Sequence, residues 1–455
     1  MNVISTLHQL LLSDQDELVI AYDNNGVKTI ADLKQEVAFI YHQRALASEP
    51  RWVISCSDPW FHLVALLTAQ QLGKTVVFPH NQAPATLVHY RDNAALISDD
   101  ADISPEILIE TPLLGDLMVS SELNQLIMSF KPTEIDALNC KIELFTSGST
   151  AEPKLIVKSL AVFEREARML QQQFESMDSI RNIIGSVAHF HIYGFLFRIV
   201  WPAMFGRCFD RRLAVDIDFI AEIDAQDTAL IASPVMLEHL ATYGQSLRLG
   251  QVFSSGGPLN FDTANVIKQL LGQYAVEVFG SSETGGIAWR RQQQPDSAWQ
   301  LFDGVSYRAV NDQLVITSLF IDEIGEYYTD DLIKPLDERH FQLLGRRDRV
   351  VKLAEKRISL TAIEHALIDL DEIETAIAVV TDNSTRKVIN LALTLSDAGQ
   401  KNSQLSETDW WKKVRRHLAK GTESVALPRK VRILTAIPRN SQGKVDMHQL
   451  QELFR

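Results

Sequence analysis

The chain has 455 residues, 46% of them apolar and 22% charged, with 44 basic against 58 acidic side chains and a net charge of −14. That length suggests two to four domains with a sizeable core, and the acidic balance argues against general nucleic-acid binding, which rests on neutralising phosphates. No apolar run is long enough to span a membrane, the N-terminal residues lack a basic n-region and a cleavage site, and Cys56, Cys140 and Cys208 are scattered without metal-ligand spacing, so a reduced, cytoplasmic protein is expected.

Through the first two thirds, short apolar runs alternate with helical patterns. "WVISC", "TVVFP", "NIIGSVA", "TALIASP", "QVFSSGG" and "AVEVFG" each read as a buried strand ending in a turn. Between them, "LAVFEREARMLQQQFESM" places Leu160, Phe163, Ala167, Leu170 and Phe174 at helical spacing. Such alternation predicts a layered α/β domain with mainly parallel sheets, whose ligands bind at loops beyond the carboxyl ends of the strands.

The first chemically loaded loop is "LFTSGSTAEPKLIV". Its interval from Gly148 to Lys154 is that of a P-loop, but Pro153 and Leu155 occupy two positions the P-loop needs for glycine and for a magnesium-binding hydroxyl. Thr146, Ser147, Ser149 and Thr150 still offer hydroxyl donors, Gly148 lets the backbone approach an anion, and Lys154 adds a positive charge. Read alone, the segment suits an anion cradle and a polar surface turn equally well. "HFHIYG" offers His189 and His191, which as alternate residues of one strand would point to opposite faces, with no carboxylate or cysteine placed to complete a metal site. Farther on come "VFSSGGPL", "EVFGSSETGG", "GEYYTDDL", "GRRDRVVK" and, near the chain end, "IPRNSQGKVDMHQL".

Beyond Arg349 the character of the chain changes. From Arg349 to Arg455 there are 18 basic and 13 acidic residues, so this stretch is net positive while the rest is strongly negative. Thr361 followed by Glu364 reads as a capping box opening a helix with Ile363, Ala366, Leu367 and Leu370 on one face. Strands "TAIAVV" and "VINLALTL" and a helix around "DWWKKVRRHLA" complete a compact α+β unit. The expected domains are therefore 1–345, a hinge at 346–349, and a smaller mobile α+β domain over 350–455.

Taken together, the order and spacing of these six segments resemble the adenylate-forming superfamily of acyl- and aryl-CoA synthetases, luciferases and peptide-synthetase adenylation domains. The resemblance runs from about residue 140 to the C-terminus. It implies ATP-dependent activation of a carboxylic acid, aryl or medium-chain acyl, to acyl-AMP, then transfer to the phosphopantetheine thiol of CoA or an acyl carrier protein. It implies that Thr146, Ser147, Gly148, Ser149, Thr150 and Lys154 cradle the ATP phosphates, with Ala151 and Leu155 replacing family glycines. Ser255, Gly256 and Gly257 would lie against adenine, with Phe279 where the family stacks a Tyr on the base. Gly280 and Ser282 would lie near the phosphates, and Glu283 would bind Mg2+. Asp331 would hold the ribose hydroxyls, with Asp330 in place of a glycine, and Arg346 would make a second ribose or phosphate contact. Asp348 matches the hinge about which the small domain rotates, and Lys444 matches the catalytic lysine.

The resemblance also assigns His191, Tyr193, Gly194 and Phe195 to the acyl pocket, and His191 is a candidate catalytic residue there as well. No acid occurs between Ala188 and Phe205, so the aspartate that pairs with an α-amino group in amino-acid-activating members is missing. Glu355 stands where family members have the glycine that lets the pantetheine arm pass. Two other readings stay open: an adenylate-forming ligase with another acceptor such as an amine, and a degenerate homologue that binds nucleotide without catalysis. A hydrolase is not indicated, since no G-x-S-x-G elbow is present.

Overall fold

The computed structural model describes residues 4, 6–43, 48–109, 125, 127–146, 154–223, 225–322, 325–353, 356–383, 386–401, 406–419, 424–439 and 444–454. By contacts the chain divides into two units. One contains Met1–Ser306 with Thr317–Tyr327, and the other contains Tyr307–Ile316 with Tyr328–Arg455. The second unit therefore takes in strands that precede the expected 346–349 hinge.

The six apolar runs form strands where the sequence places them. In the larger unit, one sheet orders Ile107–Leu108, Ala94–Ser98, Arg51–Ser55, Thr75–Phe78, Lys141–Thr146 and Lys154–Ser159 side by side. All its neighbours are parallel except the last pair, an antiparallel hairpin in which Thr146 faces Lys154. A second sheet carries Val276–Ser281, Gln251–Ser254, Thr228–Ala232, Asn182–Gly185 and Cys208–Asp210 as parallel neighbours. Gly285–Arg290 adds antiparallel beside Val276–Ser281. Every residue of Thr228–Ala232, Gln251–Ser254 and Ala94–Ser98 is buried, as expected of parallel strands covered on both faces.

The helices follow from capping and apolar pattern. Pro59–Gln71 starts at Asp58, whose carboxylate accepts the Trp60 N–H, with proline in the first turn. It is apolar nearly all round, and buried nearly all round. Leu160–Gln173 keeps the expected stripe, with Leu160, Phe163, Ala167 and Leu170 buried. Phe174, just past its end, meets Phe253 and Trp201 in an aromatic cluster with ring centroids 5.2 and 6.4 Å apart. Each such contact adds roughly 0.5–1.5 kcal/mol beyond the area buried.

The smaller unit holds an antiparallel pair, Tyr327–Pro335 with His340–Arg346. Its three-stranded sheet pairs Ile373–Asn383 with Arg386–Leu395 antiparallel and the latter with Val431–Ile433 parallel. Helices Leu360–Ile368 and Glu407–Leu418 close that sheet's core with Ile363, Leu367, Trp410, Val414 and Leu418. The capping expectation needs correction here. The N-cap is Ser359, whose hydroxyl accepts from Ala362 N–H, two residues before Thr361. Glu364 is drawn elsewhere: it is ion-paired with Arg349 and accepts the Ala378 N–H at 2.7 Å. A half-buried cation and a strand amide compete for that carboxylate better than its own helix end.

Among the described residues no helix is long and apolar enough to cross a membrane, and the three cysteines are free.

Candidate active site

The antiparallel hairpin and the turn after Val276–Ser281 bring two of the motifs together. Lys154 opens the hairpin's second strand, and its ammonium sits 2.7 Å from Glu283 Oε1. Burial works against ionisation of Glu283, but the Lys154 ammonium, the residue's own backbone N–H and the Ser281 hydroxyl outweigh it and hold the carboxyl below its usual range. Residues 147–150, the remainder of the expected phosphate cradle, lie outside the described residues, as does Glu355. Thr146 ends the hairpin's first strand.

The turn that carries Ser282 and Glu283 is tied to itself. Ser281 N–H donates to Thr284 Oγ1 at 3.0 Å, and the Thr284 hydroxyl reaches the Gly285 carbonyl at 2.9 Å. Gly280 pairs with Gly286 across it. On the preceding strand Phe279 packs on Trp299, centroids 5.4 Å apart. Beside it, Ser255 donates its hydroxyl to the Val278 carbonyl at 2.8 Å, and Gly256 turns the chain at φ +91°, a conformation that favours glycine. Gly257 follows directly in the same turn. Glu277 fixes this neighbourhood: it takes a two-pronged contact from Arg290 at 2.8 and 3.1 Å. It also accepts the Leu259 N–H at 3.4 Å.

The "HFHIYG" segment is not a strand. His191 is the N-cap position of a short helix at Ile192–Gly194 that runs on through Phe195–Val200, so the alternation argument for His189 and His191 does not apply. Helix replaces strand because Gly194 permits it: a Cβ there would stand 2.0 Å from the Ala188 carbonyl oxygen. His189 is buried and donates from Nε2 to the Cys56 carbonyl at 3.0 Å. Burial, helped by neighbouring His62, Arg198 and His191, keeps it neutral. Among the described residues there is no group of three or more His, Cys, Asp or Glu that could hold a metal. Phe195 has no exposed surface and packs on Phe78 and Phe163, both at 5.0 Å, so it backs the wall of any pocket rather than facing a ligand. His191 and Tyr193 remain half-buried at the segment's start, and the Tyr193 hydroxyl is buried close to the Ala232 backbone.

In the smaller unit, Asp331 and Arg346 face each other across the Tyr327–Pro335 hairpin. Arg346 lies 3.7 Å from Asp331 and 3.7 Å from Asp330. Asp348 lies on the single turn Arg347–Arg349. Lys444 is exposed, one residue before the Arg439–Val445 bridge that precedes helix Met447–Glu452.

Residues 44–317 match the model of the family described as AMP-binding enzyme. The chain belongs to that family. Among similar family proteins, the 4-coumarate–CoA ligase of Cereibacter sphaeroides is 25% identical over 303 residues, 66% of this chain and 69% of that protein. The L-proline–[L-prolyl-carrier protein] ligase of Pseudomonas fluorescens is 27% identical over 237 residues, 49% of this chain and 45% of its own, so less than half of that relative is spanned. ATP-bound MatB from Rhodopseudomonas palustris superposes with a TM-score of 0.78 at 15% identity, covering 99% of both chains. At that identity the likeness speaks for the family's fold.

Glu277, Arg290, Lys158 and Glu166 were not among the residues singled out from the sequence. One sign was legible for Glu166: it falls three residues after Phe163 and four before Leu170, on the helix's buried stripe.

Proposed function

We propose that this chain activates an aryl acid, passing it through an acyl-AMP to the thiol of a phosphopantetheine arm. It is an ATP-dependent ligase of the AMP-forming, acid–thiol kind. The observation that carries the reading is the 2.7 Å contact between Lys154 and Glu283, which unites the two most diagnostic motif loops across 129 residues of sequence. In the first step a carboxylate oxygen of the acid attacks the α-phosphorus of ATP while the bond to pyrophosphate breaks. In the second, a thiol sulfur attacks the carbonyl carbon and AMP leaves.

The residues have parts suited to that chemistry, most of it positioning and charge stabilisation rather than covalent work. Lys154, with Thr146 and residues 147–150, would hold the phosphates. Ser255, Gly256, Gly257 and Phe279 would frame the base, Gly280 and Ser282 would lie near the phosphates, Asp331 and Arg346 would hold the ribose, and His191, Tyr193 and Gly194 would line the acyl end with Phe195 behind them. A magnesium ion fits Glu283 by donor chemistry: hard cations take carboxylate and phosphate oxygens, and Glu283 is an ionised carboxylate at the head of the turn that also carries Ser282. Bound there with the nucleotide's own oxygens, it would neutralise charge on the phosphates.

The absence of any acid between Ala188 and Phe205 and the half-buried His191 and Tyr193 favour an aromatic acid over an α-amino acid. Exchange of labelled pyrophosphate into ATP, screened over benzoic, cinnamic, fatty and amino acids, tests this. Exchange dependent on an aromatic acid is expected. Exchange only with amino acids would overturn the substrate class, and none with any acid would leave the nucleotide-binding alternative.

For the acceptor, a carrier protein is proposed over free CoA. Such carriers are acidic as a family resemblance implies, and helix Glu407–Leu418 presents Lys412 and Arg416 exposed at i, i+4 spacing. Arg415 belongs to the fold instead: it lies over the Trp411 ring at 4.9 Å and donates to the Pro428 carbonyl at 2.9 Å. Reversing Lys412 and Arg416 to Glu is therefore the cleaner test. It should raise the apparent KM for an acidic carrier by roughly 10-fold at low salt, fade as salt rises, and leave pyrophosphate exchange unchanged. Efficient turnover with CoA, indifferent to both reversals, would sink the carrier.

A further inference from the structure

Near the Lys154–Glu283 contact lie two buried ionisable side chains, Lys158 and Glu166, with no part in the chemistry above. Lys158 stands four residues after Lys154 on the same strand, and its ammonium donates to the Phe320 carbonyl at 2.8 Å in a buried setting. Glu166, on helix Leu160–Gln173, accepts the Gly286 N–H at 2.7 Å from Oε1. The two glycines after Glu283 and Thr284 are shaped around that carboxylate. A Cβ on Gly285 would come 2.7 Å from Glu166 Oε2, and one on Gly286 would come 2.9 Å from Oε1.

We infer that Glu166, with Lys158, is a positioning residue: it fixes the turn bearing Glu283 against the strand bearing Lys154, so that both side chains meet ATP in register. The inference rests on the nucleotide-binding reading of that contact and adds the residues that hold it in place. Asp322, which also faces Lys158, is engaged by the Ser159 N–H and hydroxyl at 2.6 Å each. Burial pushes the Glu166 carboxyl up to about 7, against the pull of Lys158 and the Gly286 N–H. A carboxylate kept in such a place is costly to the fold unless its partners are fixed. Two glycines are likewise committed to a contact that an apolar core would not need.

Binding of Mg·ATP to the full chain without any acid, followed by titration calorimetry, separates a positioning part from a merely structural one. Glu166→Gln keeps the volume and an acceptor for Gly286, but removes the ionisable carboxyl and the stronger bond its charged form makes. The expected result is ATP binding weakened roughly 10- to 100-fold, as for lost outer-shell partners, with the KM for the acid unchanged. The neutral pair Lys158→Met with Glu166→Gln should regain the wild-type melting temperature, because a buried pair can be replaced without loss of stability, yet keep the weak ATP binding. Should the single variant fold poorly, this double variant decides. ATP affinity that recovers with melting temperature, or a Glu166→Gln chain that binds ATP like the wild type, overturns the inference. A wild-type chain that does not bind ATP would overturn the proposed function itself.

Discussion

Replacing Lys444 by alanine should lower acid-dependent pyrophosphate exchange by roughly 100- to 1,000-fold, the loss seen when one preorganised stabiliser of developing charge is removed. Thioester formation from preformed acyl-AMP should stay close to wild type. The resemblance assigns Lys444 chiefly to the first half-reaction, where charge moves through the α-phosphate of ATP as pyrophosphate leaves. The variant should fold normally, since Lys444 is exposed and precedes the Arg439–Val445 bridge rather than forming it. Assaying the two half-reactions separately checks this. Equal losses in both would mean that Lys444 supports the site as a whole and that the division of labour is wrong.

The second large effect is expected at Glu283. Glu283→Gln preserves shape and removes the charge that both Lys154 and a magnesium ion would meet. Pyrophosphate exchange should drop roughly 100-fold or more, and the apparent KM for Mg·ATP should rise. Added magnesium should recover part of the loss, because the change weakens one ligand to the ion and spares the phosphates. The pH dependence follows from the direction of its shift. The folded-state carboxyl is depressed, so the contribution of the pair to stability is fully present above the ordinary carboxylate value of about 4.3. It is lost as pH falls through the lower folded value. Glu283 therefore contributes no inflection to the rate profile near neutrality. Exchange by Glu283→Gln within about threefold of wild type, a difference of less than 1 kcal/mol, would remove Glu283 from the reaction.

Much of the candidate site was legible because its motifs are local. Loops such as "TSGSTAEPK" and "FGSSETGG" carry their chemistry in consecutive residues, and the apolar runs "QVFSSGG" and "AVEVFG" placed two of the site loops after strands that the fold contains. Lys154 and Glu283 were each identifiable on their own segment. That they touch was not, because 129 residues and several strands intervene. The "HFHIYG" segment shows the opposite failure. Two histidines flanking an aromatic have strand-like spacing, yet the chain winds into a helix from Ile192, where Gly194 alone tolerates the close Ala188 carbonyl, and His189 is buried in the turn before it.

The C-terminal unit makes the same division. Apolar spacing in "DWWKKVRRHLA" was enough to place a helix, because a helix's buried stripe is written at i, i+3 and i+4. Its cap, Ser406 with Asp409, and the diversion of Arg415 onto Trp411 and Pro428 depend on neighbours. Likewise Glu364 follows Thr361 at capping-box spacing, but a long-range partner, Arg349, takes the carboxylate.

By itself, then, the sequence determined the strand and helix periods, the chemical inventory of each loop and the sign of the charge on each part of the chain, all of which are properties of residues near one another. Only the tertiary structure decided which of those residues meet: Glu283 with Lys154, Glu166 with the Gly286 amide, Lys158 with the Phe320 carbonyl. The reason is physical. A charged or polar side chain gains from a partner only at short range, and which groups come within that range is settled when sheets and helices pack.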